Sequence, residues 1–150
     1  MKILVIYATV ICVKIIELKQ VSKDRWGIYL KNDVRIEPHE ERTAKFLIRF
    51  GFNIDVICPT NIPKVHNPDI LMAGTIWEIK SPESPNKKTL KKRIHEASEQ
   101  SSHIILDLRR VKGDSSRIET AVLERFKKNA SLKRMILITK KGKVIDFLKK

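Results

Sequence analysis

Glu78 and Lys80 stand two positions apart in a short apolar run, and their types and spacing indicate chemistry. If that run is a β-strand, both side chains leave the same face of it. Trp77 and Ile79 then point to the opposite face, where they can be buried. The strand would therefore present one carboxylate and one ammonium side by side.

A second carboxylate, that of Asp69, is brought back beside this strand if the chain turns between the two. Carboxylate oxygens are hard ligands suited to Mg²⁺ or Mn²⁺, and two carboxylates with a backbone carbonyl suffice because such a cation keeps several waters. The cation acidifies water and neutralises charge that builds up on a phosphate, while Lys80 is placed to orient the water, to stabilise developing charge or to act as general base. The alternative interpretation is a surface hairpin in which Asp69, Glu78 and Lys80 form ordinary ion pairs.

The elements that must position these residues are predicted from hydrophobic periodicity and turn signals. An amphipathic helix is predicted from Glu40 to Phe50, with Glu40 and Glu41 in its first turn and Gly51 as its C-terminal stop. Ala73-Gly74 is predicted to turn a hairpin. Further strands are predicted at 53–58, 69–72, 75–80, 103–108, 135–139 and 143–147, and further helices at 89–102 and 116–129. The order α-β-β-β-α-β, followed by α-β-β, predicts an α/β fold with a mixed central sheet flanked by helices.

The first 38 residues are predicted to form a β-rich N-terminal segment, with a hairpin of strands at 26–30 and 34–36. The apolar run from Ile3 to Val13 is too short to span a bilayer and is interrupted by Lys14, so we expect a strand and no stable membrane insertion. Cys12 and Cys58 show no CxxC spacing and indicate buried thiols. We expect a single domain over residues 1–150, with the core at 39–150, in a cytoplasmic protein. An exposed strand edge leaves a homodimer open.

The charge of the chain indicates a polyanionic partner. Among 150 residues, 31 Lys and Arg stand against 17 Asp and Glu, a formal net charge of +14. Clustered cations that neutralise phosphates favour nucleic acid; an anionic membrane surface and a merely Lys-rich composition are the alternatives. On the second predicted helix, Gln100 is expected to face the site or the phosphate backbone, or else to be an ordinary exposed helix residue. The residues predicted to contact phosphates, unless they are simply a solvated face, are Lys87, Lys88, Lys91, Lys92 and Arg93.

Pro68-Asp69, eight intervening residues and Glu78-Ile79-Lys80 together resemble the signature of the PD-(D/E)xK nuclease superfamily. The resemblance implies a restriction-endonuclease-like α-β-β-β-α-β core that hydrolyses phosphodiester bonds of DNA or RNA with Mg²⁺ or Mn²⁺. It also implies that Asp69 and Glu78 are metal ligands, that Ile79 offers its carbonyl and that Lys80 is catalytic.

A second pattern extends over most of the chain, from Glu40 to the closing hairpin. Its members, in order, are Glu40, Ala44, Leu47, Gly51-Phe52, Pro68-Asp69-Ile70, Gly74, Trp77-Glu78-Ile79-Lys80-Ser81-Pro82, Ala97, Gln100-Ser101, Ile105-Leu106-Asp107 and Lys141-Gly142-Lys143-Val144. This pattern is similar to the C-terminal nuclease domain of contact-dependent growth inhibition CdiA toxins. The similarity implies a secreted or delivered toxin nuclease that typically acts on tRNA, an immunity protein as partner, and a glutamate of the first helix that completes the metal site. Glu40 is the first choice for that glutamate and Glu41 the second.

These observations predict a metal-dependent endonuclease, with RNA, specifically tRNA, as the substrate that the resemblance implies. A DNA endonuclease is the first alternative. A nucleic-acid-binding module without turnover is the second, although the complete set of Asp69, Glu78 and Lys80 favours catalysis. A membrane-peripheral protein with an apolar N-terminus and a basic surface is the third.

Overall fold

The computed structural model describes residues 36–57, 68–114 and 116–149 in full, and residues 13–18 and 28–29 as backbone. The described residues form a mixed α/β fold. Its strands are β1 (Val13–Leu18), β2 (Ile28–Tyr29), β3 (Ile54–Val56), β4 (Ile70–Met72), β5 (Thr75–Lys80), β6 (His103–Asp107), β7 (Arg134–Ile138) and β8 (Val144–Lys149). Its helices are α1 (Pro38–Ile48), α2 (Lys87–Gln100) and α3 (Ser116–Lys128).

The strands lie in one sheet in the order β1-β8-β7-β6-β5-β4-β3-β2. The β5, β6 and β7 strands are parallel in the middle, joined through α2 and α3, while the hairpins β4-β5 and β7-β8 are antiparallel. The predicted mixed sheet and the α-β-β-β-α-β order, here α1-β3-β4-β5-α2-β6, are thus confirmed.

Each face of the sheet carries its own apolar core. On one face α1 packs through Ala44 and Leu47 against Trp77 and Ile79 of β5. On the other face α2 and α3 pack against the alternate residues of β6, β7 and β8, such as Ile104. Because strand side chains alternate between faces, the burial of Trp77 and Ile79 under α1 places Glu78 and Lys80 on the α2 face, as their spacing predicts.

Local sequence explains where the elements that hold the site begin and end. Pro38 occupies the first turn of α1, where its missing N–H is harmless, and the helix therefore begins two residues before the predicted start. The helix ends at Ile48 with Arg49 as its C-cap, two residues before the predicted end, and Gly51, with a φ of 85°, lies in the turn that follows. Ala73 and Gly74, with φ values of 52° and 72°, form the predicted two-residue turn between β4 and β5.

Several predictions for the N-terminal part fall outside the described residues. These are the structure of residues 1–12, the state of Cys12 and Cys58, and the hairpin partner at 34–35. The backbone of β1 pairs with β8, and that of β2 pairs in parallel with β3. In the part of the chain that the structure describes, no helix is long and apolar enough to cross a membrane.

Candidate active site

The β4-β5 hairpin places Asp69 against the strand that carries Glu78. Ile70 is paired with Trp77, so the next antiparallel step sets Asp69 opposite Glu78. The Oδ2 atom of Asp69 accepts a hydrogen bond of 2.7 Å from the backbone N–H of Ile79. The hairpin prediction therefore holds in detail, since the first carboxylate is fixed to the strand of the second.

Lys80 lies between two acceptors. Its ammonium donates to Oε1 of Glu78 and, at 3.2 Å, to Oε1 of Gln100 at the end of α2. The Glu78 side chain is only 2% exposed, and its Oε2 atom has no hydrogen-bond partner among the described residues. An unsatisfied buried carboxylate oxygen is costly in a protein interior, so this atom is suited to a ligand.

The three carboxylates near this hairpin are held above their ordinary pKa values. Burial raises the pKa of Glu78 from 4.5 to about 7, with a further rise from the charge of Asp69 and an opposing effect of the Lys80 hydrogen bond. Burial raises the pKa of Glu40 to about 7 as well, again helped by Asp69. Burial also raises the pKa of Asp69, against the hydrogen bond from Ile79. Added positive charge would stabilise all three carboxylates.

The first turn of α1 separates the two glutamates that the sequence left as alternatives. The Glu40 side chain is half-buried, interacts electrostatically with Asp69 and Lys80, and accepts a hydrogen bond of 3.2 Å from the backbone N–H of Glu37. Glu41 instead forms an ion pair with Lys45, one turn along the helix. Glu40, and not Glu41, thus lies on the side of the helix that faces the hairpin.

The donor set fits a hard divalent cation held with few protein ligands. Within the described ranges, no group of three or more His, Cys, Asp or Glu side chains is arranged to hold a metal ion. Asp69 and Glu78 nevertheless stand opposite each other, with the free Oε2 of Glu78 on this side of the sheet. Two carboxylates completed by a backbone carbonyl and waters suit Mg²⁺ or Mn²⁺, which retain much of their hydration.

A cavity of about 540 Å³ lies over this edge of the sheet. Glu40, Ile79 and Lys80 line it, and Asp69 and Glu78 do not, although both are in contact with residues that do. The sequence interpretation missed His39, Ser81 and Arg110, which also line it. Burial, followed by the charge of Arg110, lowers the pKa of His39. A sequence signal existed for Arg110, because it follows β6, and the carboxyl ends of the parallel strands β5 and β6 meet at one edge of the sheet.

The predicted phosphate-binding cluster of α2 is divided by the structure. Arg93 lines the 540 Å³ cavity and pairs with Glu96. Lys87 and Lys91 line a different cavity of about 220 Å³ between α2 and α3. Lys88 is exposed, and Lys92 lies 3.8 Å from Glu96. Gln100 contacts Lys80, so within the described structure it lies at the site.

Comparison with known proteins identifies the family to which this chain belongs. Residues 66–144 match the family described as the contact-dependent growth inhibition CdiA C-terminal domain. The match spans more than half of the chain, which therefore belongs to this family of toxin domains.

A solved structure is similar in fold, the "CdiA-CT/CdiI toxin and immunity complex from Burkholderia pseudomallei". The two chains share 22% sequence identity with a TM-score of 0.60, over 83% of this chain and 100% of the other. No curated protein matches the chain.

Proposed function

We propose that this chain is a metal-dependent endonuclease of the PD-(D/E)xK kind that hydrolyses phosphodiester bonds of nucleic acid. The observation that carries the proposal is the arrangement of Asp69, Glu78 and Lys80 on one face of the β4-β5 hairpin, with a buried Glu78 oxygen that lacks a partner. Ion pairing alone does not account for that oxygen, because Lys80 satisfies only Oε1.

Asp69, Glu78 and the carbonyl of Ile79 would hold Mg²⁺ or Mn²⁺, with Glu40 as the third carboxylate of the site. When bound, the cation would supply a Lewis acid for the phosphodiester and acidify water. The chain's own residues do the positioning. Gln100 and Glu78 hold the ammonium of Lys80 at the cavity, where it can orient water or stabilise the charge that develops on the phosphate.

The substrate we favour is RNA, in particular tRNA, because the sequence pattern resembles the nuclease domains of CdiA toxins. The net charge of +14 supports a nucleic acid of either kind. DNA is the second candidate, because the same site chemistry serves either backbone. The solved relative is a toxin and immunity complex, so we further propose that an immunity protein binds this chain.

The decisive experiment is cleavage of total tRNA, plasmid DNA and single-stranded DNA in parallel by purified protein, with Mg²⁺, with Mn²⁺ and with EDTA. The wild-type protein and Asp69→Ala are compared, and Asp55→Ala serves as the matched control because Asp55 is an exposed aspartate of the neighbouring strand β3. We expect metal-dependent cutting by the wild type and by Asp55→Ala, and none by Asp69→Ala.

The substrate that is cut selects between the RNA and DNA alternatives. If nothing is cut under any condition while all three proteins bind nucleic acid equally, the endonuclease proposal is wrong. The chain would then be a nucleic-acid-binding module with this fold.

A further inference from the structure

A second cavity of about 360 Å³ adjoins the active-site cavity on the α1 side of the molecule. The two cavities share His39, Ser81 and Arg110 in their linings. A ligand that crosses the edge of the sheet over Lys80 would therefore pass directly from one cavity into the other. We call this second cavity the α1 cleft.

The α1 cleft is strongly cationic. Five basic side chains line it against a single carboxylate, that of Asp107. The five are Arg42, Lys45, Arg49, Arg109 and Arg110. Arg42 and Lys45 are exposed, and among the described residues no carboxylate lies within ion-pairing distance of Arg42. The field of the cleft therefore favours an anion.

Asp107 lies at the floor of the cleft, where it is 2% exposed and both of its carboxylate oxygens accept hydrogen bonds. Its carboxylate accepts a hydrogen bond of 2.7 Å from the hydroxyl of Thr43 on α1 and another of 2.9 Å from Nε of Arg109. The guanidinium of Arg109 lies 4.0 Å over the ring of Phe46 and also donates to the backbone carbonyl of Arg42. Arg109 thus neutralises the carboxylate of Asp107. Lys45 and Arg110 form ion pairs with Glu41 and Glu83, whereas Arg42 has no carboxylate within ion-pairing distance among the described residues.

We propose that the α1 cleft binds a backbone phosphate of the substrate strand, next to the phosphodiester that lies over Asp69 and Glu78. This inference rests on the proposed function. It adds the path of the nucleic-acid strand, which runs over α1 as well as along the basic face of α2. One guanidinium group can donate two parallel hydrogen bonds to two oxygens of the same phosphate. A concave cationic surface continuous with the active site suits a flexible polyanion better than the broad face of an acidic protein.

The test measures binding in EDTA, so that the ligand stays intact and no turnover is required. Arg42→Gln/Lys45→Gln removes two cations from the cleft. Arg117→Gln/Lys127→Gln removes the same two residue types from α3, on the other face of the sheet and away from the cavity that Lys87 and Lys91 line. Fluorescence anisotropy with a short labelled RNA, and with total tRNA as competitor, gives the affinity at several salt concentrations. Thermal melts verify that both variants fold.

We expect the cleft variant to bind about 10-fold more weakly, with a slope of log affinity against log salt reduced by roughly 1 to 2, since each lost phosphate contact removes about 0.7–0.9. The α3 variant should keep the wild-type affinity and slope. Equal losses in both variants, or no loss in either, would overturn the proposal. So would a cleft variant that binds RNA normally but loses affinity for poly-L-glutamate, because the cleft would then take an acidic protein.

The outcome is separable from that of the proposed function. If the wild type cleaves nucleic acid and the cleft variant binds and cleaves like it, the endonuclease stands and the α1 cleft proposal is wrong. If nothing is cleaved but the cleft variant alone loses RNA binding, the cleft proposal stands and the endonuclease does not.

Discussion

The carboxylate of Asp69 accepts a hydrogen bond from the backbone N–H of Ile79, the residue between Glu78 and Lys80. One bond therefore ties the start of β4 to the strand that presents the other two site residues. An asparagine oxygen can accept the same bond but carries no charge. We predict that Asp69→Asn keeps the fold and the melting temperature while divalent-cation affinity falls and cleavage drops on the order of 100-fold. Calorimetric Mn²⁺ titration and cleavage assays measure this, and unchanged cleavage would contradict it.

The first turn of α1 carries two adjacent glutamates, and the proposal assigns one of them, Glu40, as the third carboxylate of the site. Glu40 faces Asp69, whereas Glu41 is paired with Lys45. We predict that Glu40→Gln lowers cleavage on the order of 10- to 100-fold, because it removes a carboxylate beside the cation site, and that Glu41→Gln changes it by less than about 2-fold. In Glu40→Gln the side-chain oxygen can still accept the hydrogen bond from the backbone N–H of Glu37, so we expect the stability of α1 to be unchanged. Equal effects of the two substitutions would exclude the assignment of Glu40.

Gln100 accepts a hydrogen bond of 3.2 Å from Lys80, which favours a positioning role over substrate binding. We predict that Gln100→Ala lowers kcat about 10-fold with little change in KM, because the ammonium of Lys80 loses one of its two fixed acceptors. Glu99→Ala, one residue earlier and exposed beside His95, is the control and should behave as the wild type. A raised KM with an unchanged kcat would instead support the interpretation that Gln100 contacts the nucleic acid.

The raised pKa values of Glu78 and Glu40, about 7 in each case, predict that cation binding depends on pH. Below that pKa the cation must displace protons, so Mn²⁺ affinity should rise between about pH 6 and about pH 8, with proton release visible as a dependence of the binding enthalpy on the buffer. Calorimetry at the two pH values measures it. Equal affinity at both would contradict the prediction.

The raised pKa of Glu78 also determines whether the metal-free protein becomes more or less stable as the pH rises. Since the folded-state pKa of Glu78 lies above its ordinary 4.5, the folded state holds the extra proton, and its stabilising effect is lost as the pH rises through about 7. The metal-free melting temperature should thus be lower at about pH 8 than at about pH 6, and Glu78→Gln should weaken that dependence. Saturating Mn²⁺ should restore the melting temperature of the wild type at the higher pH.

The buried Asp107 links β6 to α1 through Thr43 and to the α1 cleft through Arg109. We predict that Asp107→Asn lowers the free energy of unfolding by about 2 kcal/mol, less than for a fully buried pair because Arg109 is partly exposed. Urea denaturation measures this. Asp55→Asn is the control, because Asp55 is an exposed aspartate of β3, and its midpoint should match the wild type. Equal midpoints for both variants would contradict the role of Asp107.

The sequence by itself determined the elements and the central pair of the site. Period-two alternation set Glu78 and Lys80 on one face of β5, and Ala73-Gly74 set the turn that returns Asp69 to it, because these are local properties of a strand and a tight turn. The order of helices and strands was likewise readable, since each follows from its own periodicity. The helices α1 and α2 each begin two residues before the predicted start, α1 at Pro38 and α2 at Lys87, directly after its N-cap Asn86.

Only the tertiary structure decided which distant side chains join that pair. Gln100 reaches Lys80 from the end of α2, Arg110 arrives after β6, and Glu40 rather than Glu41 faces Asp69, all through packing between elements far apart in the chain. The basic cluster of α2 was visible as charge, but its division between two cavities depends on how α2 rotates against the sheet and α3. Burial raises the carboxylate pKa values, and it depends on the whole fold. No local sequence pattern therefore predicts those shifts.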